Sequence, residues 1–212
     1  MSAKVVLASH NQGKLAELRE ILRDEIPGLD VDADVVDAAT IGAPDVVEDG
    51  VTFAENSFKK AREVAAHTGL IAIADDSGLA VEVLGGAPGI FSARWAGQHG
   101  NDSANLQLLL NQLADISDEH RSAKFCCAAT MVTPDGVEAV EYGELAGILL
   151  REPRGEHGFG YDPILAPAEL TGEYAGRSCA EIPAEVKNSM SHRARAFTAL
   201  IPHLKAALAP ES

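Results

Sequence analysis

One short run constrains this chain more than any other stretch: Leu70 to Ala74, followed by Asp75-Asp76-Ser77-Gly78. The apolar residues read as a buried strand. Two carboxylates, a hydroxyl and a glycine follow at once. Adjacent carboxylates repel each other, so folding them side by side needs a reason. A divalent cation is one such reason, since Mg²⁺ takes one or two carboxylates plus substrate phosphates. The plainer reading is a polar turn at a strand end, because Asp, Ser and Gly are ordinary turn residues.

The rest of the chain must decide between these. Its 212 residues suit one large domain or two lobes sharing a sheet, and a 46% hydrophobic fraction supplies a core. No apolar run is long enough to span a bilayer, and the N-terminus runs into a strand without a signal-peptide pattern. The cysteines, Cys126, Cys127 and Cys179, are odd in number, and two are adjacent. They read as reduced core residues of a cytoplasmic protein, not a disulfide framework or a zinc site. A net charge of -15 argues against a nucleic-acid-binding face, which must be basic. A local group of Lys, Arg and Mg²⁺ can still hold a small polyanion, because a distant acidic surface is screened beyond about 8 Å.

Lys4 to Ala8 reads as a strand, and Ser9-His10-Asn11-Gln12-Gly13-Lys14 as a loop before a helix carrying Leu15, Leu18, Leu22 and Ile26 on one face. Strand, glycine-containing loop, helix presents backbone N–H groups and a positive helix end to a phosphate. Lys14 falls in the first helical turn, where its charge opposes the helix dipole; an Asn-capped helix with a stray lysine is the plain alternative. The stretch lacks the leading glycine and the Ser or Thr after the lysine of a Walker A loop, which excludes a P-loop NTPase. Asp30 to Val36 alternates loosely and predicts a strand, and Glu48-Asp49-Gly50 a turn. Thr52-Phe53-Ala54-Glu55 is a capping-box pattern opening a helix to about His67, with Gly69 closing it. Asn56 and Lys60, four apart, share a face of that helix.

Beyond the acidic pair, Leu79 to Leu84 is a second apolar run, and Gly85-Gly86-Ala87-Pro88-Gly89 is a loop. Asn101 to Ala114 carries a helical stripe of leucines. Ser122 to Thr133 and Val137 to Leu150 predict a hairpin about Pro134-Asp135-Gly136, with Gly143 and Gly147 marking bends or bulges. Phe159-Gly160-Tyr161-Asp162 pairs glycine with two aromatics: a mobile loop, or a wall on which a flat base stacks. Ser191 can cap a final helix with the stripe Ala194, Phe197, Ile201, Leu204 and Leu208, which Pro202 should kink or split. His192 and Arg193 place two cations at its start, where a bound anion would relieve them. The sequence contains no internal repeat or low-complexity segment.

Taken together, these stretches resemble the inosine triphosphate pyrophosphatase family, the XTP/dITP diphosphatases, from Val5 to about Ala199. The likeness is carried by Ser-His-Asn-x-x-Lys (9 to 14), Glu-Asn-Ser-x-x-Lys-Ala (55 to 61), Ala-Asp-Asp-Ser-Gly-Leu (74 to 79), Gly-Gly-x-Pro-Gly (85 to 89), Gly-Phe-Gly-Tyr-Asp-Pro (158 to 163) and Lys-Asn-x-x-Ser-His-Arg (187 to 193). Many members have Thr-Gly-Asn where this chain has Ser9-His10-Asn11. The resemblance implies an α/β fold: a long mixed β-sheet flanked by helices, in two lobes with a nucleotide-binding cleft between them. It also implies a homodimer that hydrolyses ITP, dITP and XTP to the monophosphate and pyrophosphate with Mg²⁺. Ser9, His10, Asn11, Gln12, Gly13, Lys14 and Lys60 would hold the triphosphate. Glu48 and Asp76 would bind metal, with Asp75 nearby, and Asp76 would orient or deprotonate the attacking water. Ser77 would touch substrate, and Phe159, Gly160, Tyr161, Asp162, Lys187, His192 and Arg193 would enclose the base and sugar.

The residue types suit that chemistry, since phosphoryl transfer demands positioning and charge neutralisation more than covalent catalysis. Two other readings compete. One is a related pyrophosphatase for modified pyrimidine triphosphates. The other is a nucleotide-sensing module without turnover, which would not need the carboxylates Glu48, Asp75 and Asp76.

Overall fold

A computed structural model describes residues 3–209. Among the described residues the strands are β1 (Val5–Leu7), β2 (Val35–Asp37), β3 (Ile71–Val81), β4 (Ser122–Val132), β5 (Glu138–Leu149) and β6 (Leu165–Pro167). They form one mixed sheet in the order β2-β1-β3-β4-β5-β6. Strand β1 runs parallel to both β2 and β3, while β5 and β6 are antiparallel. The helices are α1 (Gln12–Leu22), α2 (Val31–Asp34), α3 (Phe53–Thr68), α4 (Asp102–Gln112), α5 (Ala184–Met190) and α6 (His192–Leu208). The chain divides into two compact units. Among the described residues the first holds 3–76, 127–143 and 193–209; the second holds 77–126 and 144–192.

In the first unit two apolar layers cover opposite faces of the sheet. Leu15, Leu18 and Leu22 of α1 and Phe197, Ile201 and Leu204 of α6 pack with Ile71 and Ile73 of β3. Ala61, Val64 and Ala65 of α3 pack with Ala72 and Ala74. Side chains alternate faces along a strand, so in the first unit Ile71, Ile73 and Asp75 face α1 and α6 while Ala72, Ala74 and Asp76 face α3. In the second unit Leu106, Leu109, Leu110 and Leu113 pack with Leu79, Val81, Phe125, Leu145 and Leu149, as the leucine stripe predicts. Buried Arg121 fastens this core by donating to the carbonyls of Leu113, Leu149 and Leu150.

Several expectations change. The strand does not stop at Ala74: β3 runs eleven residues through Asp75-Asp76-Ser77-Gly78 to Val81, taking in the first half of the second apolar run, while Glu82–Leu84 turns into a short 3-10 helix. Gly78 is what permits this, since a Cβ there would lie 2.5 Å from the Gly89 carbonyl oxygen and from Ser92 Oγ. Of the expected strand at 30–36 only Val35 and Val36 lie in a strand, β2, which ends one residue later at Asp37. Asp30 accepts from the N–H groups of Asp32 and Ala33 and so starts α2 instead. Gly147 marks no break in β5; its missing side chain leaves room for Ala166 of β6, whose carbonyl oxygen would sit 2.4 Å from a Cβ. Pro202 does not split α6, which continues to Leu208. Pro202 and Thr198, whose carbonyl loses its helical donor, both lie on the exposed side, where water can serve that carbonyl. All three cysteines are free thiols, with Cys127 and Cys179 buried and Cys126 half-buried.

Candidate active site

The alternation of side chains along β3 separates the two carboxylates. Asp75 points to the face covered by α1 and α6, and Asp76 to the face covered by α3.

Asp75 is 2% exposed. Both its oxygens accept from Lys14 Nζ, at 3.0 and 2.9 Å, and Oδ2 also accepts from Arg193 Nε at 3.1 Å. Burial pushes its pKa up, but the charges of Lys14, Arg193 and Lys60 outweigh this and hold it well below the usual carboxylate range. Arg193 in turn donates from Nη1 to Glu17 Oε2 at 3.3 Å. Burial lowers its pKa, yet Asp75 and Glu17 together raise it above the ordinary guanidinium value. The charge at the start of α6 is thus met by two carboxylates of the protein itself.

The α3 side is organised by the capping box. Thr52 accepts from the Glu55 N–H, and Glu55 Oε2 accepts from the Val51 N–H at 2.7 Å. This fixes the helix start, and Gly69 closes its end in the left-handed conformation. Asn56 and Lys60, one turn apart, then reach the same place. Asn56 Nδ2 donates to Asp76 Oδ2 at 3.0 Å. Lys60 Nζ donates to Glu48 Oε1 at 2.5 Å and to the backbone carbonyl of Asp75 at 2.7 Å. Burial lowers the Lys60 pKa, but Asp75, Glu48 and Asp76 more than reverse this, so it stays charged.

Lys14, Lys60 and Glu48 line a pocket of about 190 Å³ together with Ser9, His10 and Asp45. Whole small-molecule sites are commonly about 300–1,000 Å³, so this one suits a phosphate tail rather than an entire nucleotide. Asn11 caps α1, accepting from the N–H groups of Gly13 and Lys14. Ser9 Oγ accepts from the Asn11 N–H, and His10 Nδ1 lies 2.9 Å from Asp45 Oδ1. Gln12 turns the other way and hydrogen-bonds the fully buried Asp37. Among the described residues no three His, Cys, Asp or Glu side chains form a ready-made metal cage. Glu48 and Asp76, both hard oxygen donors within the field of one lysine, are the kind of partial set that substrate phosphates complete around Mg²⁺.

The second unit gathers the remaining residues. Asp162, 3% exposed, accepts from the Phe159 N–H at 2.9 Å and from Lys187 Nζ. Gly158 is required there, because a Cβ would meet Asp162 Oδ2 at 2.1 Å. Lys187 Nζ lies 5.1 Å from the centre of the Phe159 ring, and Phe159 is 63% exposed. Tyr161 departs from the pattern of a stacking wall: its ring is buried in the core and its hydroxyl donates to the Ser92 carbonyl at 2.9 Å. Of the two aromatics only Phe159 offers a face. The Gly160 N–H is held by Asp102 Oδ2 at 2.9 Å. His192 stacks on Phe125 with ring centres 5.0 Å apart, and Ser77 lies half-buried in β3.

Five residues of this arrangement were not singled out by sequence reasoning as site residues: Asn56, Glu17, Asp37, Asp45 and Asp102. Asn56 carried a signal, since it shares a helix face with Lys60 inside the Glu-Asn-Ser-x-x-Lys motif. The others pair across long separations and carried none.

A six-stranded mixed sheet flanked by helices places the chain among the α/β proteins. The chain belongs to the Ham1 family, whose pattern matches residues 5–203. It is 57% identical to the dITP/XTP pyrophosphatase of Streptomyces coelicolor over 94% of this chain and 96% of that one. Identity to the dITP/XTP pyrophosphatase of Streptomyces avermitilis is 55%, with the same coverage. Among solved structures, a HAM1 protein from Coxiella burnetii superposes with a TM-score of 0.84 at 40% identity, covering 96% of this chain and 99% of the other. The nucleoside-triphosphatase / dITP/XTP pyrophosphatase of Mycobacterium abscessus gives 0.75 at 45% identity, covering 95% and 100%. No helix among the described residues is long and apolar enough to cross a membrane.

Proposed function

We propose that this chain hydrolyses the non-standard purine nucleoside triphosphates dITP, XTP and ITP to the monophosphate and pyrophosphate. The observation that carries the reading is the pocket of the first unit, where Lys14 and Lys60 are both held in place by Asp75 and both face one small polar cavity. Two preorganised point charges and the start of α1 suit the two distal phosphates of a triphosphate. The high identity to relatives named for dITP and XTP supports the substrate class.

In this reading Glu48 and Asp76 hold Mg²⁺, which when bound neutralises charge on the phosphoryl oxygens. Asp75 holds the lysines rather than the ion. Asp76 orients a water molecule at the α-phosphorus and takes its proton. The new P–O bond forms as the bond to the bridging oxygen of the β-phosphate breaks, and pyrophosphate leaves in the grip of Lys14 and Lys60. Lys187, a donor without an acceptor, meets the 6-oxo group of hypoxanthine or xanthine and is left facing the amino group of adenine. The reading also makes the protein a cytoplasmic homodimer.

A panel of ITP, dITP, XTP, ATP and a modified dUTP tests this by product analysis. Pyrophosphate and monophosphate are expected from the first three, in amounts far above the rest. Orthophosphate as product, preferential turnover of the pyrimidine, or binding without any turnover would contradict it.

A further inference from the structure

We infer that Asn56 is a positioning residue that locks the Asp76 carboxylate to the loop carrying Glu48. The inference rests on the reading of Asp76 as the proton acceptor.

Asn56 is 2% exposed and uses both ends of its amide. Its Oδ1 accepts from the Gly50 N–H at 2.8 Å, and its Nδ2 donates to Asp76 Oδ2 at 3.0 Å. The amide cannot be turned over: the Gly50 N–H can only donate, and an ionised carboxylate can only accept. Asn56 is therefore a fixed link between two segments that each supply one candidate ligand. Gly50 stands two residues after Glu48, and Asp76 sits on β3. Lys60, one turn on along α3, bonds Glu48 and the Asp75 carbonyl in parallel. One helix face thus clamps the same loop to the same strand twice, once through a charge and once through a neutral amide. The approach is close, since a Cβ on Gly50 would lie 2.8 Å from Asn56 Oδ1 and 2.8 Å from Glu55 Cβ. A neutral amide is the fitting choice there. It orients a carboxylate without adding a charge that would compete with the metal or the water for it.

Asn56→Asp separates this role from mere packing. The substituted side chain still accepts from Gly50, but it faces Asp76 with a like charge in place of a donor. A packing defect alone would loosen the Gly50 loop as well, whereas loss of the donor to Asp76 leaves that loop in place. The expected result with dITP is a kcat reduced roughly 30-fold or more with KM within about 3-fold. Protection of the Gly50 amide from hydrogen exchange, read without substrate or metal, should persist in this variant. A near-normal kcat, or a loss expressed in KM with kcat unchanged, would overturn the inference. Asp76→Asn, run beside it, distinguishes the two failures. If that variant keeps near-normal turnover, the reading of Asp76 is wrong and the inference falls with it; if it is inactive while Asn56→Asp is not, the inference alone fails. Should Asn56→Asp fail to fold, Gly50→Ala decides. It displaces the loop from Asn56, and a drop in kcat of about tenfold at constant KM is expected; an unchanged kcat would overturn the link.

Discussion

The two units meet the problem of a buried carboxylate differently. Asp75 in the first is ringed by cations from three helices: Lys14 from α1, Lys60 from α3 and Arg193 from α6. Asp162 in the second has one cation, Lys187, and one backbone N–H, and the lysine lies beside an exposed aromatic ring. The first is a network in which Asp75, Lys60 and Arg193 each have more than one partner. The second is a single pair at the edge of a glycine-bordered loop. A network of this kind sets charges at fixed points, as a phosphate tail requires. A lone pair beside a free ring face leaves one donor able to respond to the identity of a base.

The contrast breaks most readily at Asp75. Asp75→Asn leaves Lys14 and Arg193 as buried cations short of a counter-charge, a change that typically costs about 3–5 kcal/mol. Thermal or urea unfolding should show the loss. Because the folded-state pKa of Asp75 is depressed, its contribution is present above the ordinary value of 3.8 and is lost as pH falls toward the folded value. The gap between wild type and Asp75→Asn should therefore be full at neutral pH and narrow steadily below about pH 4. A gap that widened in acid would mean that the network is not what stabilises the first unit.

A smaller effect is expected at the single pair. Lys187→Met removes the charge and keeps most of the length. We expect kcat/KM for ITP to fall about tenfold, roughly 1.4 kcal/mol, with a smaller fall for ATP and unchanged Mg²⁺ dependence. An equal fall for both nucleotides would place Lys187 in phosphate binding or in stability instead. Smallest is Tyr161→Phe, which deletes one buried hydrogen bond to Ser92 at a cost of about 1 kcal/mol. Since the ring faces the core, KM for ITP should not move. A raised KM would return Tyr161 to the base-binding side.

The acidic pair also shows how far the sequence could be read. Its importance was visible, and so was the apolar run before it. The continuation of the strand was not, because Asp, Ser and Gly favour turns and nothing local overrides that preference. What overrides it is tertiary: Lys14 lies 61 residues away from Asp75 and Arg193 lies 118 away. The same distance hid Glu17, which meets Arg193 across 176 residues. Features governed within one turn of helix were legible, including the Asn11 and Thr52 caps, the shared face of Asn56 and Lys60, and the leucine stripe of α4. Period-2 geometry supplies the missing step: once β3 is continuous, Asp75 and Asp76 must serve opposite faces, one meeting Lys14 and Arg193 and the other Asn56.

The most direct measurement is the fate of oxygen from water. If Lys14 and Lys60 hold the distal phosphates and Asp76 directs water to the α-phosphorus, hydrolysis of dITP in ¹⁸O-labelled water should place the label in the nucleoside monophosphate and leave pyrophosphate unlabelled. Label in pyrophosphate would mean attack at the β-phosphorus, and label in orthophosphate with a nucleoside diphosphate product would mean attack at the γ-phosphorus. Either would contradict the assignment of the first unit's pocket.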